Sequence, residues 1–566
     1  MKTKNLKIAA TLSLLIIGLI FPACLFSQPN PQWVRSFNNS AADDHDVTQK
    51  SVVDGAGNVY IIAYSKGTTT GYDFLTLKYN AAGDLLWSKR YNNDNFNGTD
   101  DPNDIAVDGS GNVYVVGTSY RDNTKSDAVL IKYSTNGSQL WVKRSRIINQ
   151  NFGEDTEGMA VTISPNGGAI YMAYDFKIFG YQGQNYIGSH FVKYNPSGDS
   201  LGYNGSLTVE GNIANLGITD IAADNNDNLY VSYNYDNDIW IGKYSSSYSL
   251  LWQGTYDGDS IDLGVEMKIA PDGHCVVIGR SFKINQGYDY IILKFGRDDG
   301  ALLWSKRYNN SQASMNDFPN SLTIDNGNNI IVTGYSMSTN NDNDILTLKY
   351  SAAGALVWEK RYNGSANGND QGRCVVTDNV GNVYVSGFYY RNAQGGQDFV
   401  TLKYSSAGTL DWAAEYALTW VADQPISIGI DNNGNLYISG RILRFLGTDE
   451  DVAIIKYGST VGIQQISGEV PSKFELNQNY PNPFNPVTNI KFSIPKAGSV
   501  KLIVFDVSGK QVAELVNEDL NAGTYNYDFS ASHLSSGVYF YKLIVTDASA
   551  SLSTGYSETK RMILIK

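Results

Sequence analysis

The sequence predicts an all-β protein in which a four-stranded unit is repeated many times. At 566 residues the chain exceeds one ordinary domain. Its 55 glycines and frequent Asn-Gly or Gly-Asn pairs indicate short strands joined by tight turns. One pattern also returns after about 54 residues, as from Tyr79 to Tyr133, and such a period is typical of repeat architectures.

Two short signatures define the repeat. One is Leu-Lys-Tyr followed by a tryptophan and basic residues, as in Leu77 to Tyr91, and the other is Gly-Asn-Val-Tyr, as in Gly111 to Tyr114. The aromatic residue after the lysine marks eight copies, at Tyr79, Tyr133, Tyr194, Tyr244, Phe295, Tyr350, Tyr404 and Tyr457.

Each copy is predicted to form four antiparallel strands, which we call a to d. The second copy places them at 105–108, 113–117, 128–133 and 140–144, with glycine and asparagine in the turns. Four short strands per unit of this length are typical of a β-propeller blade.

The ends of the array predict how the propeller closes. A strand-d sequence, Trp33 to Phe37, precedes the first strand a, and the last copy ends at Tyr457 without a strand d. The N-terminal strand can complete the last blade and remove its exposed edge. We therefore expect eight blades, with seven as the alternative. Residues 33–458 resemble bacterial extracellular β-propeller repeat proteins, a resemblance that implies a fold and no activity.

The two ends of the chain carry export signals. Basic residues up to Lys7 and the apolar run from Ile8 to Phe21 predict a signal peptide over residues 1–27, with lipid attachment at Cys24 as an alternative. No later apolar run is long enough to span a bilayer. After a predicted linker at 459–472, alternating strands at 488–494, 500–506, 523–529, 538–545 and 561–565 predict a small Ig-like β-sandwich.

The C-terminal region, residues 473–566, resembles the type A sorting domain of type IX secretion, also called the Por secretion system. The resemblance rests on Tyr480, Pro481, Asn482, Pro483, Phe484, Asn485, Pro486, Gly509, Gly537 and Tyr539. It implies that the outer-membrane secretion machinery is a partner. It also implies delivery through the periplasm to the cell surface or the medium of a Gram-negative bacterium. An unrelated Ig-like domain is the alternative.

Aspartates recur at the start of strands a and c. The strand-c set is Asp73, Asp127, Asp238, Asp289, Asp344, Asp398 and Asp451. The strand-a set is Asp46, Asp100, Asp262, Asp317, Asp370 and Asp423. Together the two sets can form an acidic collar that holds Ca²⁺. The alternative, which the repetition favours, is that each aspartate satisfies backbone amides within its own blade. We expect no other cofactor.

Composition narrows the function further. The net charge of −13 argues against nucleic acid as a partner, and no nucleophile, phosphate-binding or zinc motif occurs. The strand-d aromatic residues are interpreted as packing between blades.

Ligand binding is expected where the repeat is broken. The third copy has Thr156 and Gly188 in place of both aspartates, and a long aromatic connection from 176 to 190. Its candidate ligand-binding residues are Phe179, Tyr181, Tyr186 and His190, because rings beside amides suit sugar recognition. The sequence thus predicts an exported, non-enzymatic protein that binds a glycan or another surface polymer. A secreted polysaccharide lyase or hydrolase and a structural adhesin are the alternatives.

Overall fold

The computed structural model describes residues 29–565 apart from short segments. These segments are 30, 39–44, 68–69, 94–97, 123–124, 146–152, 182–183, 206–208, 211–215, 259, 311–315, 339–341, 365, 392–395, 419–421, 444–449, 459–463, 468–469, 486, 532–533 and 547–554. The predicted signal peptide, including Cys24, lies outside the described residues.

Every helix or strand in the described part of the chain is a β-strand, which confirms the all-β fold class. Strand β1 is Trp33–Phe37. The first repeat sheet contains β2 Asp46–Val53, β3 Val59–Lys66, β4 Tyr72–Tyr79 and β5 Leu85–Tyr91. The second contains β6 Asp100–Val107, β7 Val113–Asp122, β8 Lys125–Tyr133 and β9 Gln139–Ser145. The third contains β10 Gly153–Ile163, β11 Ile170–Tyr181, β12 Gln184–Tyr194, β13 Ser200–Gly205 and the added β14 Val209–Glu210.

The remaining repeat sheets follow the same order. The fourth contains β15 Gly217–Ala223, β16 Leu229–Tyr235, β17 Asp238–Tyr244 and β18 Leu250–Tyr256. The fifth contains β19 Asp262–Ile269, β20 Cys275–Lys283, β21 Gly287–Phe295 and β22 Leu302–Tyr308. The sixth contains β23 Asp317–Ile324, β24 Ile330–Met337, β25 Asn343–Tyr350 and β26 Leu356–Tyr362. The seventh contains β27 Gln371–Thr377, β28 Val383–Tyr390, β29 Gln397–Tyr404 and β30 Leu410–Tyr416, and the eighth contains β31 Ala422–Ile430, β32 Leu436–Leu443 and β33 Glu450–Tyr457.

Strand β1 is the fourth strand of the eighth repeat sheet. It pairs antiparallel with β33, with Trp33 opposite Lys456 and Phe37 opposite Val452. The first strands of consecutive repeat sheets contact one another from β2 through β31, and β31 also contacts β2. The hydrophobic cores lie between neighbouring sheets, as where Tyr60 and Phe74 pack with Val115 and Tyr133.

A tryptophan on strand d and a lysine on strand c tie most repeat sheets to the next one. Both side chains donate a hydrogen bond to the same carbonyl oxygen in the turn between strands c and d of the following sheet. The residues that accept in this way are Ala81, Thr135, Pro196, Arg297, Ala352 and Ser406. Ala81 receives its pair from Trp33 and Lys456, so the eighth and first sheets make the same contact as the others.

At the junction between the third and fourth sheets, the aromatic ring and the glycine of this contact have exchanged places. At the six junctions described above the tryptophan lies on a turn glycine, as Trp87 lies on Gly137 at φ 82°, a conformation that glycine adopts without strain. Here Tyr203 replaces the tryptophan and is 73% exposed. Tyr248 replaces the turn glycine, and its hydroxyl donates to the Gly202 carbonyl oxygen at 2.6 Å. The ring has therefore moved from strand d to the turn.

The C-terminal region contains two four-stranded sheets. Their strands are β34 Gln464–Ser467, β35 Glu475–Leu476, β36 Val487–Ile494, β37 Gly498–Phe505, β38 Gln511–Leu520, β39 Gly523–Ser530, β40 Gly537–Thr546 and β41 Tyr556–Leu564. One sheet has the order β34-β39-β36-β35 and the other β38-β37-β40-β41, and side chains of both share one core.

Two sequence-based predictions for this region need correction. The predicted linker contains β34, which pairs with β39. The sequence also missed β38, because its polar residues hide the alternation that marks a half-buried strand.

Candidate functional site

The strand-c aspartates lie inside individual repeat sheets. Each of four pairs with an arginine of strand d in its own sheet. The pairs are Arg90–Asp73 at 2.8 Å, Arg144–Asp127 at 3.2 Å, Arg307–Asp289 at 2.6 Å and Arg361–Asp344 at 3.6 Å. Asp398 pairs with Arg391 at 2.5 Å, Asp451 is fully buried, and Asp238 is partly exposed. Arginines thus pair with five of the seven strand-c carboxylates proposed for the collar.

Burial is the largest influence on the pKa values of these strand-a and strand-c aspartates. It raises the pKa of Asp100 to about 6, and the neighbouring carboxylate of Asp73 adds to the effect. Burial likewise raises the pKa of Asp289 to about 6, although Arg307 acts in the opposite direction. The strand-a and strand-c aspartates therefore resemble internal charge networks of the fold more than an open ligand site.

The aromatic connection of the third repeat is a β-hairpin and not a loop. Strands β11 and β12 continue through it, with Phe176 opposite Gly188 and Ile178 opposite Tyr186. The run of aromatic and β-branched residues favours extended strands over a loop.

The hairpin places the predicted ligand-binding residues in different surroundings. Phe179 is 43% exposed, Tyr186 is partly buried, and Tyr181 ends β11. His190 packs edge-on against Phe176 at 4.8 Å, and its Nδ1 lies 3.2 Å from the Tyr174 hydroxyl. Burial lowers the pKa of His190. His190 is therefore held among hydrophobic rings, whereas Phe179 faces solvent.

A cleft of about 390 Å³ lies among the fourth, fifth and sixth repeat sheets. Its polar and aromatic lining includes Asn234, Arg280, Phe318, Asn320 and Tyr335. Phe318 and Tyr335 lie on neighbouring strands with ring centroids 5.2 Å apart. Aromatic rings beside amide and guanidinium groups suit a ligand that has both a polar edge and an apolar face, as a sugar does.

Two arginines near this cleft make no ion pair or hydrogen bond with any described residue. The Arg280 guanidinium lies over the rings of Tyr288 and Phe318, at 5.5 and 5.6 Å. Arg373 lies 5.2 Å from the Phe388 ring, and the Nε atoms of both arginines are buried without a hydrogen-bond partner. A buried donor without a partner costs folding free energy. Because these donors belong to positively charged groups, they favour an anionic ligand.

The charge of both arginines reaches the cleft. Burial raises the pKa of Tyr335, while the charges of Arg373 and Arg280 act to lower it. Burial and the nearby Arg441 lower the pKa of Arg373. Tyr335 thus lies within the field of two guanidinium groups that have no carboxylate partner in the described chain.

This cleft is not evident from the sequence, because its residues occupy positions that differ from one repeat to the next. Phe318 follows the strand-a aspartate, where other repeats carry Val47, Asp101 or Gln424. Variation at a fixed place in a repeat was the available signal, but it does not reveal which variable positions meet in space.

The Tyr480–Asn485 segment of the C-terminal region is held by the last strand. Asn482 Oδ1 accepts a hydrogen bond from the Ile563 amide at 2.9 Å, and the Phe484 amide donates to the Ile563 carbonyl oxygen at 3.0 Å. Phe484 is buried at 2% exposure, whereas Tyr480 is 82% exposed. The segment thus anchors one aromatic ring in the core and presents another to solvent.

The other motif residues have structural roles. Gly509 adopts φ 81° in the turn after β37, and its amide donates to the Asp506 carbonyl oxygen. Gly537 begins β40, and the Tyr539 hydroxyl donates to the Ser535 carbonyl oxygen at 2.8 Å. Pro481 and Pro483 are exposed, and Pro486 lies outside the described residues.

Two segments of the chain match known families. Residues 478–553 match the secretion system C-terminal sorting domain. The match confirms the resemblance seen in the sequence, and the sorting domain implies that the chain is a secreted cargo. Residues 86–123 match a β-propeller repeat, which confirms the second resemblance.

The similar solved structures are distant. Polysaccharide lyase Uly1 is 10% identical, with 75% of this chain and 91% of that chain covered and a TM-score of 0.39. The WD40 domain of SCAP from fission yeast is 9% identical, with 75% and 98% covered and a TM-score of 0.39. The β-propeller domain of the Trilobed protease from Pyrococcus furiosus is 11% identical, with 64% and 98% covered and a TM-score of 0.35. Similarity at this level says nothing about activity, and a comparison with curated proteins finds no match.

The described part of the chain contains no helix with the length and apolar character that a membrane span requires.

Proposed function

We propose that this protein is a cargo of type IX secretion whose propeller binds an acidic glycan, or another polyanionic surface polymer, without cleaving it. In this proposal residues 1–27 direct the chain to the periplasm. Residues 464–566 then direct it through the outer membrane to the cell surface or the medium. The observation that carries the binding function is Arg280, a guanidinium without an acidic partner in the described chain, which lines the cleft and lies over the ring of Phe318.

The binding domain in this proposal is a closed ring of eight blades. Three contacts support closure: β1 pairs with β33, Trp33 and Lys456 both reach the Ala81 carbonyl oxygen, and β31 contacts β2. A closed ring holds neighbouring sheets at fixed angles, so the cleft among the fourth, fifth and sixth sheets is formed before any ligand arrives. Preorganisation of this kind reduces the entropic cost of binding.

The chemistry of the cleft selects an anionic sugar over a neutral one. Guanidinium groups bind carboxylate or sulfate through paired, charge-assisted hydrogen bonds. Phe318 and Tyr335 offer ring faces to the apolar side of a sugar. The Asn320 Nδ2 already donates to the Gly372 carbonyl oxygen at 2.7 Å, so this side chain offers its oxygen to a sugar hydroxyl. The net charge of −13 leaves this arginine cluster as a local exception on an acidic protein.

Binding to acidic polymers tests the proposal. The secreted protein is titrated by calorimetry with polygalacturonate, alginate and heparin, and with dextran as the neutral polymer. We expect an acidic polymer to bind and dextran not to bind. Arg280→Gln should weaken binding by about tenfold or more, since a hydrogen bond to a charged group contributes about 1.5–3 kcal/mol.

Two control variants separate the cleft from other surfaces. Arg297→Gln removes a largely exposed arginine that pairs with Asp298 and should leave binding unchanged. Phe179→Ala tests the hairpin predicted from the sequence and should also leave binding unchanged. The proposal is wrong if no acidic polymer binds, or if Arg280→Gln binds as tightly as the wild type. Release of new reducing ends from a bound polymer would favour the polysaccharide-active enzyme instead.

A further inference from the structure

The strand-c aspartate of the fourth repeat sheet, Asp238, lacks the strand-d arginine that pairs with four of its counterparts. In the first, second, fifth and sixth sheets that arginine lies three residues after the strand-d tryptophan, as Arg307 follows Trp304. In the fourth sheet Thr255 occupies this position after Trp252. No described lysine or arginine forms an ion pair with Asp238.

Where the arginine is missing, Asp238 instead lies close to two other carboxylates. Oxygen atoms of Asp238, Asp257 and Asp262 all lie within 4.8 Å of one another, at the junction of the fourth and fifth sheets. Burial raises the pKa of Asp238, and the charges of Asp257, Asp262 and Asp236 raise it further. Three carboxylates this close repel one another unless a cation or a proton lies among them.

Asp262 brings a buried and unmatched oxygen atom to this group. The residue is fully buried, and its Oδ2 accepts a hydrogen bond from the Gly258 amide at 2.6 Å. Its Oδ1 is buried without a hydrogen bond of normal geometry to any described group, and the nearby Ser281 hydroxyl acts to lower the pKa of the carboxyl, which burial raises. An unmatched Oδ1 also occurs at the same strand-a position in Asp46, Asp100 and Asp317. Asp262 differs from them in that two further carboxylates lie within 4.8 Å of it.

The backbone holds the three carboxylates in place. Asp236 and Asn237 form the tight turn before Asp238, with φ angles of 53° and 70°. The Asp262 amide donates to the Asn237 carbonyl oxygen at 2.6 Å, which ties the fifth sheet to that turn. A site built on such fixed elements is more precise than one built on a free loop.

We propose that Asp238, Asp257 and Asp262 bind one Ca²⁺ ion, which takes the place of the missing arginine between the fourth and fifth sheets. Carboxylate oxygens at this spacing fit Ca²⁺, whose ligands lie about 2.3–2.6 Å from the ion. Asp257 is exposed, so water can complete the coordination of Ca²⁺ from the solvent side. The set contains no nitrogen or sulfur ligand, which disfavours zinc and copper. Extracellular calcium sites typically have dissociation constants of about 0.1–1 mM.

The test measures calcium binding to the full-length secreted protein after EDTA treatment and dialysis. Calorimetry should show one Ca²⁺ bound per chain, and 5 mM Ca²⁺ should raise the melting temperature above its value in EDTA. Asp257→Asn, at an exposed position, should weaken binding about tenfold or more. Asp298→Asn, at a surface aspartate 81% exposed, should leave both measurements unchanged.

A second variant restores the arginine found in the other sheets. Thr255→Arg should pair with Asp238, keep the melting temperature in EDTA at or above the wild-type value, and remove the calcium-dependent rise. The proposal is overturned if wild-type protein shows no calcium binding, if Asp257→Asn binds calcium as the wild type does, or if Mg²⁺ stabilises the protein and Ca²⁺ does not. Binding of acidic polymers is measured separately, so failure of the calcium site and failure of the proposed function are distinguishable.

Discussion

Trp33→Ala tests whether the N-terminal strand secures the eighth repeat sheet against the first. Trp33 Nε1 donates to the Ala81 carbonyl oxygen at 3.2 Å, and its ring lies against Gly83 and 6.0 Å from the Tyr437 ring. Replacing it with alanine removes both this hydrogen bond and the packing of the indole ring between β1 and the first sheet.

These contacts set the expected loss in the free energy of unfolding. Truncating a fully buried tryptophan costs about 3–5 kcal/mol, so the half-buried Trp33 should lose about 2 kcal/mol. Its hydrogen bond adds about 1 kcal/mol. For a protein larger than 250 residues, a total of about 3 kcal/mol lowers the melting temperature by about 4 °C.

Thermal unfolding followed by intrinsic fluorescence or circular dichroism gives the shift. The matched control is Tyr203→Ala, at the same strand position in the third sheet, where the side chain is 73% exposed. It should change stability by less than about 0.5 kcal/mol. An unchanged melting temperature for Trp33→Ala, or an equal loss for Tyr203→Ala, would refute this account of the junction.

Two further predictions concern pH and export. Asp100, Asp289 and Asp370 have pKa values raised to about 6 by burial, above about 4 in the unfolded chain. The folded protein binds more protons between pH 4 and 6, so their contribution to stability falls as pH rises through this window. Asp100→Asn should therefore raise the melting temperature at pH 7.5 and reduce the gain in melting temperature from pH 7.5 to 5; an undiminished gain contradicts the assignment. Truncation after Gly458, which removes β34 with the rest of the sorting domain, should leave the chain in the periplasm by cell fractionation. Normal amounts in the medium or at the surface would rule out the sorting role.

The sequence was enough to predict the repeat and its strands because both depend on local chemistry. Period-two alternation sets the strands, and the Gly-Asn pairs set the turns, so β6 to β9 appear where the second copy predicts them, with ends extended by a few residues. The sorting domain was identifiable for a related reason. Its motif is a contiguous run, and the buried Phe484 and the exposed Tyr480 lie close together in the chain.

The candidate sites depend on contacts between residues that are distant in the chain. The unpaired guanidinium of Arg280 and the ring of Phe318 come from neighbouring sheets, and no local pattern links them. In the third repeat, a run of aromatic residues that is contiguous in sequence suggested a binding loop. The structure shows a β-hairpin there, in which Phe176 and His190 pack together. The sequence by itself determined an all-β repeat protein with a C-terminal secretion sorting domain. Only the tertiary structure decided which variable positions face one another across sheet junctions, because that depends on how neighbouring sheets pack and not on the order of residues within a repeat.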